Sequence, residues 1–573
     1  MKTQDMEASP SARQLVICCD GTNNNLTGGV DDTNVVKLAQ LLAQAAPNTQ
    51  QLVFYDPGVG NPAELPGATW VDSIHRKAQR VAGLAFGRGA YENIAECYLF
   101  LMRNYQPGDQ IFIFGFSRGA FTARSVAGLV NMFGVLQARM ESMLSTLIHT
   151  YFSDRKQGQT DANQIAQQIS TLFADTRSRE VEITFVGVWD TVESVGMGPF
   201  SAKITAIPTV DNKRFLNVRQ ALALDEQRAQ FKPRLYGNEN GIYRTSTGKP
   251  ASLQQLWFRG SHCDVGGGYA KGHTGISDRA LCWLVSEAVQ CGLMLHHNGV
   301  SLESEAAVAS ALGLANNNNK PKAPATVHSQ LHATCLWALT GLAVRETQQI
   351  DLNKAAPTLV TAVEHSSVGE GPPRFPEDTV WTNPRPKHWL WISMLAMFVF
   401  LLAHGDALKN DAVPLSLDWQ TWLARGWEAQ LQTLEYVRWQ LLWLCDGSLT
   451  DIPYRLAAPG WAMVWDLGLI AAYAYVLSWF AVAAFARHAG LHRAGRVPSR
   501  LLNLLGWALP LAVFSDLLED FATWLTIHCA TTDHLGWAFL WGCWMSIFSI
   551  GKFAGLLGVL LLIVLPGQEK SPK

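Results

Sequence analysis

The sequence predicts an α/β domain with a mostly parallel sheet, followed by a helical region embedded in a membrane. Through the first half of the 573-residue chain, short apolar runs rich in β-branched and aromatic residues alternate with longer helical patterns. Such strands, separated by helices, are typical of parallel sheets covered by helices on both faces. The last 186 residues instead contain long apolar runs and fifteen of the 21 tryptophans.

The strands and helices of the first half alternate in a regular order. Five apolar runs are predicted strands: 15–19, 52–55, 111–116, 181–188 and 253–258. Five helical patterns lie between or after them: 33–45, 78–105, 118–136, 160–174 and 277–292. We therefore predict a disordered N-terminus (1–13), a catalytic domain (14–370, with its core at 14–295), a proline-rich linker (371–387) and a membrane domain (388–573). Ligands of parallel sheets bind beyond the carboxyl ends of the strands, so the chemistry is expected in post-strand loops.

The membrane domain is predicted from four apolar segments: Trp389–Ala403, Leu467–Ala486, about 501–514, and Gly536–Leu565. The second and fourth have the ~20 residues that a membrane-spanning helix needs, whereas the first and third are short enough to be buried or interfacial helices. The loop 487–500 contains four arginines and no acid, and the loop 404–460 is acidic. If all four segments span, the positive-inside rule places the front domain, the basic loop and the C-terminal tail in the cytoplasm.

Composition excludes several classes of protein. Charged residues make up 16% and hydrophobic residues 48%, which is incompatible with a disordered chain. A net charge of −2 gives no reason to expect a nucleic-acid partner. The ten cysteines contain no C-x-x-C pair, so neither a zinc site nor a disulfide framework is predicted. The N-terminus lacks the apolar stretch of a cleavable secretory signal.

The clearest chemical signal is a G-x-S-x-G pentapeptide between a predicted strand and a predicted helix. Ser117 lies between Gly115 and Gly119, directly after the apolar run 111–116. A sharp strand-to-helix turn crowds the residues beside the serine, so positions without a side chain are needed there. The pattern predicts a nucleophile elbow, with Ser117 as nucleophile and the N–H of Arg118 as an oxyanion donor. The alternative is a strand end at which the serine caps a helix.

A nucleophilic serine needs a base, and the base needs a carboxylate that orients it. Asp190 and His262 each follow a predicted strand, in the order serine, acid, histidine that is typical of α/β-hydrolases. We therefore predict a triad of Ser117, Asp190 and His262. Asp264 is a rival for the orienting acid, and the alternatives are a turn-capping Asp190 and a structural His262. The weaker candidates for the base, which lack a strand-end position, are His273, His296 and His297.

A polar turn, Asp20–Asn25, follows the first predicted strand. Turns of this kind expose backbone N–H groups, so Gly21 and Thr22 are predicted to supply the second oxyanion donor or to hold a substrate phosphate. Asp20 and Asn23 are predicted to contact the substrate.

Six motifs carry a family resemblance: CDGTNNN (19–25), YDPGVG (55–60), GFSRGAFTAR (115–124), FVGVWDTV (185–192), ALALDEQR (221–228) and HCDVGGGY (262–269). Together they resemble the α/β-hydrolase catalytic domain of type VI secretion phospholipase effectors, the first lipase-effector family, over about residues 14–295. The resemblance implies the same triad, Ser117, Asp190 and His262. It implies nothing about the membrane domain.

We therefore predict a membrane-associated serine esterase of lipids, in particular a phospholipase, that requires no metal or organic cofactor. We expect a multi-pass protein of the bacterial inner membrane. The alternative is a protein that is exported as an effector. A secretion spike or an immunity protein would be its partner if it is an effector. Two alternatives are a tethered hydrolase of a soluble ester or thioester, and a non-enzymatic membrane toxin or sensor. The apolar helices are expected to bring the site to lipid rather than to perform chemistry.

Overall fold

The computed structural model describes the strands and helices of both predicted regions. The described residues are 13–21, 32–43, 50–58, 84–152, 155–174, 179–192, 194–195, 202–203, 213–236, 241–269, 274–312, 327–328, 335–345, 363–364, 390–400, 461–493, 497–531 and 535–564. The predicted N-terminal tail up to residue 12, the linker 371–387 and the acidic loop 404–460 lie outside these residues.

An eight-stranded, mostly parallel sheet forms the centre of the first region, which confirms the predicted fold class. Its strands are β1 (Gln14–Cys19), β2 (Gln51–Asp56), β3 (Gln110–Phe116), β4 (Ile183–Trp189), β5 (Phe215–Ala223), β6 (Gly241–Arg244), β7 (Pro250–Phe258) and β8 (Val363–Glu364). Their order across the sheet is β8-β7-β5-β4-β3-β1-β2, all parallel, and β6 pairs antiparallel with β7. The carboxyl ends of β3, β4 and β7 therefore meet at one edge of the sheet.

Helices cover both faces of the sheet and form the C-terminal region. They are α1 (Asn34–Ala43), α2 (Leu84–Asn104), α3 (Arg118–Phe133), α4 (Leu144–Phe152), α5 (Arg155–Phe173), α6 (His262–Gly266), α7 (Gly275–Gln290), α8 (Glu305–Ala311), α9 (Leu390–Phe400), α10 (Trp461–Arg493), α11 (Ser499–Leu505), α12 (Ala508–Thr531) and α13 (Leu535–Val564).

Each face of the sheet has its own apolar core. Along β1, Leu15 and Ile17 pack with helices α2 to α5, whereas Val16 and Cys18 pack with α1, α7 and α8. Alternate residues of a strand point to opposite faces, and both sets are fully buried here. This explains why β1 is apolar without interruption from Leu15 to Cys19.

Strand β5 was not among the predicted strands. Its sequence, FLNVRQALA, carries three polar residues in a central position of the sheet. Each of these residues has a specific partner: Arg219 Nε donates to Glu287 Oε2 at 2.6 Å, and Gln220 Nε2 donates to the carbonyl of Arg234 at 2.9 Å. The amide of Asn217 donates to the carbonyl of Thr184 at 3.0 Å. Such partners, distant in sequence, make buried polar residues tolerable and hide the strand from a hydropathy pattern.

Three described helical segments are long and apolar enough to cross a membrane: Asp466–Ala486, Ser499–Ala522 and Ile547–Val564. The predicted segment at 389–403 is represented by α9, which is shorter in the described residues. The predicted segment at 501–514 was too short, because the helical path continues to Thr531 through three acidic residues. Two of these acids are paired across the bundle, since Lys552 of α13 contacts Asp516 at 2.7 Å and Glu519 at 3.0 Å.

Candidate active site

The G-x-S-x-G segment forms a sharp turn between β3 and α3. Ser117 has φ 59° and ψ −120°, a conformation that is costly for a residue with a side chain. A Cβ on Gly115 would lie 2.5 Å from the carbonyl oxygen of Gly119, and one on Gly119 would fall on the carbonyl oxygen of Cys19. Both glycines are therefore required by the close approach of backbone, as the elbow prediction assumed.

The three predicted triad residues lie at the same edge of the sheet. The N–H of Ser117 donates to the carbonyl of Trp189 at 3.0 Å, which joins the elbow to the end of β4. The next residue, Asp190, has φ 42°, and its Oδ2 lies 2.5 Å from Nδ1 of His262. The ring of Phe116, directly before the serine, packs on the ring of His262 with 4.7 Å between centroids. Three residues far apart in sequence are thus brought together.

The Asp190–His262 pair is buried, with side chains 0% and 4% exposed. Burial alone would raise the pKa of Asp190, but the charge of Arg345 and the hydrogen bond with His262 lower it to about 2. Burial lowers the pKa of His262, and Asp190 opposes this only in part. A neutral imidazole beside an ionised carboxylate donates from Nδ1, so its Nε2 is left to accept a proton.

Nε2 of His262 is buried and makes no hydrogen bond among the described residues. Hydrogen bonds between a nucleophile and its base often tighten only when substrate is present. The other ring nitrogen is held by Asp190, and the ring packs on Phe116 of the elbow.

Two further charged residues surround the pair, and the sequence reasoning missed both. Arg345 contacts both oxygens of Asp190, with Nη1–Oδ1 at 2.5 Å and Nη2–Oδ2 at 3.0 Å. Glu226 accepts the backbone N–H of His262 at 3.1 Å and pairs with Arg228 at 2.8 Å. Glu226 lies in the motif 221–228, which could have drawn attention to it, whereas no local pattern marks Arg345.

The rival acid, Asp264, has a different partner. Its Oδ2 accepts the N–H of Ser261 at 2.8 Å, which caps the short helix α6 that begins with His262. Its Oδ1 lies 2.5 Å from Nδ1 of His328, whose ring stacks on Tyr269 at 4.1 Å. Asp264 therefore supports the turn that carries His262, whose Nδ1 is held by Asp190 instead.

The other histidine candidates lie elsewhere or outside the described residues. His296 and His297 form a two-residue strand that pairs with 300–301. His273 lies outside the described residues.

The predicted oxyanion and substrate residues are only partly described. Arg118 is the first residue of α3, where backbone N–H groups have no acceptor within the helix, and burial lowers the pKa of its guanidinium to about 10. The N–H of Gly21 donates to Oδ1 of Asp20 at 2.6 Å. The carboxylate of Asp20 also accepts the hydroxyls of Thr33 and Tyr55, each at 2.9 Å from Oδ2. Thr22 and Asn23 lie outside the described residues.

One group of buried side chains, Cys19, Asp56 and Cys97, has potential metal ligands within 4.8 Å of one another. Both oxygens of Asp56 already accept from the side-chain amide of Asn93, at 2.7 and 2.9 Å. The hydrogen bond between the two thiols, together with burial, raises the pKa of Cys19 well above its usual value. Protonated thiols and an engaged carboxylate favour a packing role for this group.

Comparison with known proteins agrees with the motifs. Residues 13–287 match the family model described as "T6SS, Phospholipase effector Tle1-like, catalytic domain". This match confirms the resemblance of residues 13–287 to that catalytic domain. A Saccharomyces cerevisiae protein described as "Uncharacterized protein YEL023C" is 33% identical over 232 residues, covering 39% of this chain and 33% of that protein. The chain thus matches about a third of the length of this curated relative.

Two solved structures are similar at low identity. An uncharacterized protein from Pseudomonas aeruginosa is 17% identical, with 50% of this chain and 46% of that chain covered and a TM-score of 0.27. The Tle1 effector bound to the VgrG spike of the type 6 secretion system is 19% identical. The match covers 45% of this chain and 52% of that chain, with a TM-score of 0.24.

Proposed function

We propose that this chain is a membrane-associated serine hydrolase that cleaves ester bonds of phospholipids. The observation that carries the proposal is the buried Asp190–His262 pair, joined by a 2.5 Å contact beside the strained turn at Ser117. The phospholipase description of the family matched by residues 13–287 supports the class of substrate.

The proposed mechanism uses the three residues in the roles that their environments favour. Ser117 Oγ attacks the ester carbonyl carbon while Nε2 of His262 accepts the hydroxyl proton. His262 then returns the proton to the leaving alcohol, and in the second half it activates the water that releases the acyl group. Asp190 holds the imidazole through Nδ1 and stabilises its positive charge, which its low pKa permits because the carboxylate stays ionised.

The negative oxygen that develops on the ester carbonyl needs preorganised donors. The N–H of Arg118 lies at the N-terminal end of α3, where the helix dipole is positive. We assign it as one donor, and the loss of such a donor typically raises the barrier by about 3 kcal/mol. Gly21 or Thr22 remains our proposal for the second donor, and Gly21 would have to release its hydrogen bond to Asp20.

The test of this function is covalent labelling combined with lipid mass spectrometry. A fluorophosphonate probe should label the wild type and leave Ser117→Ala unlabelled, and only the labelled protein should release products from phospholipid membranes. Ser125→Ala is a matched control, because Ser125 is a fully buried serine of α3, the helix that follows Ser117, and its hydroxyl has no hydrogen-bond partner among the described residues. Equal labelling of Ser117→Ala and the wild type would contradict the serine mechanism. Turnover of a soluble ester without any turnover of phospholipid would instead favour a tethered esterase.

We further propose that the helices span the bacterial inner membrane with the catalytic domain on the cytoplasmic side. A Cβ on Gly468, near the start of the first candidate span, would lie 2.5 Å from the ring of Phe400 at the end of α9. This contact supports α9 as part of a preceding, fourth span. At the other end of the bundle, Nε2 of His488 lies 3.1 Å from the carbonyl of Leu562. The basic loop and the C-terminal end of α13 then share one face.

The catalytic domain touches the helices at that same end. The N–H of Val344 donates to Oδ1 of Asn503, at the start of the second candidate span, at 2.8 Å. The four arginines of residues 487–500, at the end of α10 and the start of α11, favour the cytoplasm for this face.

The effector description of the family supports a proposal about export. If the protein is exported, it would be carried by a secretion spike and opposed in the producing cell by an immunity protein. Co-purification with the spike of the same cell, lost when the spike gene is deleted, tests this partner.

A further inference from the structure

A segment between the sheet and the apolar helices, residues 335–345, contacts both of them, and we call it the strap. It begins as a 3-10 helix, Cys335–Thr340, and continues without regular structure to Arg345. None of the predicted site residues lies in it.

On one side the strap is joined to the loop that follows β5. The carbonyl of Gly341 accepts the N–H of Ala229 at 3.1 Å, and the N–H of Ala343 donates to the carbonyl of Gln227 at 2.9 Å. These two hydrogen bonds fix the strap to the loop that carries Glu226 and Arg228. Glu226 of this loop accepts the backbone N–H of His262, the proposed base.

At its end the strap delivers Arg345 to the buried carboxylate of Asp190. Besides its two-point contact with that carboxylate, the guanidinium donates to the carbonyls of Ala223 and Phe231. The ring of Phe231 meets the ring of His262 edge-on, with 4.9 Å between centroids. Arg345 therefore contacts the orienting acid and also holds a residue that packs on the base. A planar guanidinium with several donors can make all these contacts at once. The compact ammonium of a lysine cannot make all of them.

On its other side the strap packs on the apolar helices. The N–H of Leu342 donates to the carbonyl of Gly506 at 3.0 Å, and Val344 donates to Asn503 as described above. Gly506 has no room for a side chain, because a Cβ there would fall on the carbonyl oxygen of Leu342. Strap residues are also part of the apolar core of the helical bundle: Cys335, Ala338 and Leu342.

We propose that Arg345 is a positioning residue for the Asp190–His262 pair, and that the apolar helices set its position through the strap. The inference rests on the proposed function and goes beyond it, because it gives the helices a role in turnover of any ester. The helices would then both bring the site to lipid and hold the orienting acid in its productive geometry. Release of the strap from the helices would weaken the enzyme even on a soluble substrate.

The electrostatic consequence of losing Arg345 has a definite sign. The charged groups around His262 are Asp190, Glu226 and Arg228, with Arg345 behind Asp190. Removing the positive charge of Arg345 leaves a buried carboxylate that is less compensated. Protonation of His262 then becomes easier, so the acid limb of the activity profile moves to higher pH. A purely structural role of Arg345 would not produce this shift.

The first test uses full-length protein in detergent and a short, soluble ester. In Arg345→Met we expect kcat to fall roughly 100-fold with little change in KM, because displacement of a catalytic group by about 1 Å costs that much. The acid limb of the profile of kcat/KM against pH should move to higher pH. Arg345→Lys should restore part of kcat and reverse part of this shift. The matched control is Arg103→Met, which removes an exposed arginine paired with Glu141 and should leave kcat unchanged. Wild-type kcat and pH profile in a folded Arg345→Met would overturn the inference.

The second test changes only the helices, and it holds even if Arg345→Met does not fold. Asn503→Ala removes the acceptor of the Val344 N–H, and Gly506→Ala displaces Leu342. Both should lower kcat for the soluble ester, with the larger loss in Gly506→Ala. The control is Asn131→Ala, where Oδ1 accepts the N–H of Arg214 at 3.0 Å far along α3 from the site.

Wild-type turnover in both helix variants would overturn the coupling to the helices. Ser117→Ala separates this failure from a failure of the proposed function. If turnover depends on Ser117 but not on Arg345 or the strap contacts, only the present inference fails. If Ser117→Ala is fully active, the proposed function itself fails.

Discussion

At the scale of single residues, the environment of Asp190 decides what the site can do. The carboxylate is fully buried, yet it is ionised because Arg345 and His262 contact its oxygens and the N–H of Ala223 donates to Oδ1 at 2.9 Å. A buried charge of this kind is stable only when its partners satisfy it. The same partners hold the carboxylate beside Nδ1 of His262.

Replacement of Asp190 by asparagine should therefore abolish most of the activity. The amide is neutral, so it stabilises neither the imidazolium nor the tautomer that leaves Nε2 free, and we expect kcat to fall by about 10³ to 10⁴. Steady-state kinetics on a soluble ester measure this loss. Asp109→Asn is the control, because Asp109 pairs with Arg13 at 2.6 Å away from the site. A kcat within tenfold of the wild type would contradict the assignment of Asp190.

The pH dependence of activity should reflect the buried base. Burial lowers the pKa of His262, opposed in part by Asp190, and the base is active only when neutral. Activity should be lost as pH falls through this pKa, with a midpoint below the ordinary histidine value of about 6.5. A profile of kcat/KM against pH gives the midpoint directly. A midpoint above 7 would show that another group limits the reaction.

At the scale of elements, the turn between β3 and α3 depends on backbone packing against β1. A methyl group on Gly119 would meet the carbonyl of Cys19, which belongs to a buried strand and cannot move aside. We expect Gly119→Ala to cost about 1–3 kcal/mol of stability and to displace Ser117, with loss of turnover. Gly108→Ala is the comparison, because that residue has φ 103° but open space around it. This variant should keep wild-type kcat, and equal kcat in both variants would argue against the elbow.

The pairing of α12 with α13 depends on a buried ion network. Lys552 is 5% exposed and contacts the carboxylates of Asp516 and Glu519. Charges inside a membrane are costly unless they are paired. Lys552→Met leaves two acids without their cation and should destabilise the protein by about 3–5 kcal/mol.

Thermal unfolding in detergent measures this destabilisation. Addition of Asp516→Asn and Glu519→Gln to Lys552→Met should restore part of it, because the two acids that pair with Lys552 then carry no charge. An unchanged melting temperature in Lys552→Met alone would show that the network contributes little.

At the scale of the whole molecule, the proposed topology places the catalytic domain, the basic loop and the C-terminal tail on one face. Single cysteines introduced at Arg496 and Ser571 should react with an impermeant maleimide only from the cytoplasmic side. A cysteine introduced in the acidic loop, at Ser416, should react only from the opposite side. Labelling of positions 496 and 571 from opposite sides would remove one span from the proposed arrangement.

Features that depend on neighbours along the chain could be predicted from local sequence patterns. Apolar runs marked β1 to β4 and β7, and both faces of β1, β3 and β4 are buried. The glycines beside Ser117 marked the elbow, since no side chain fits there. The strand-end positions of Asp190 and His262 predicted that both would lie near the serine, since parallel strands end at one edge of the sheet.

Tertiary structure alone decided the features that depend on partners far away in sequence. Strand β5 keeps polar residues in the sheet centre because Glu287 and main-chain carbonyls accept hydrogen bonds from them. Asp264 contacts His328 instead of the ring of His262, and Arg345 reaches Asp190 across 155 positions of chain. A local sequence pattern shows the hydrophobic period of a segment and the types of its side chains. It does not show which distant group will neutralise a buried charge. That identity depends on how the sheet, the strap and the apolar helices pack together.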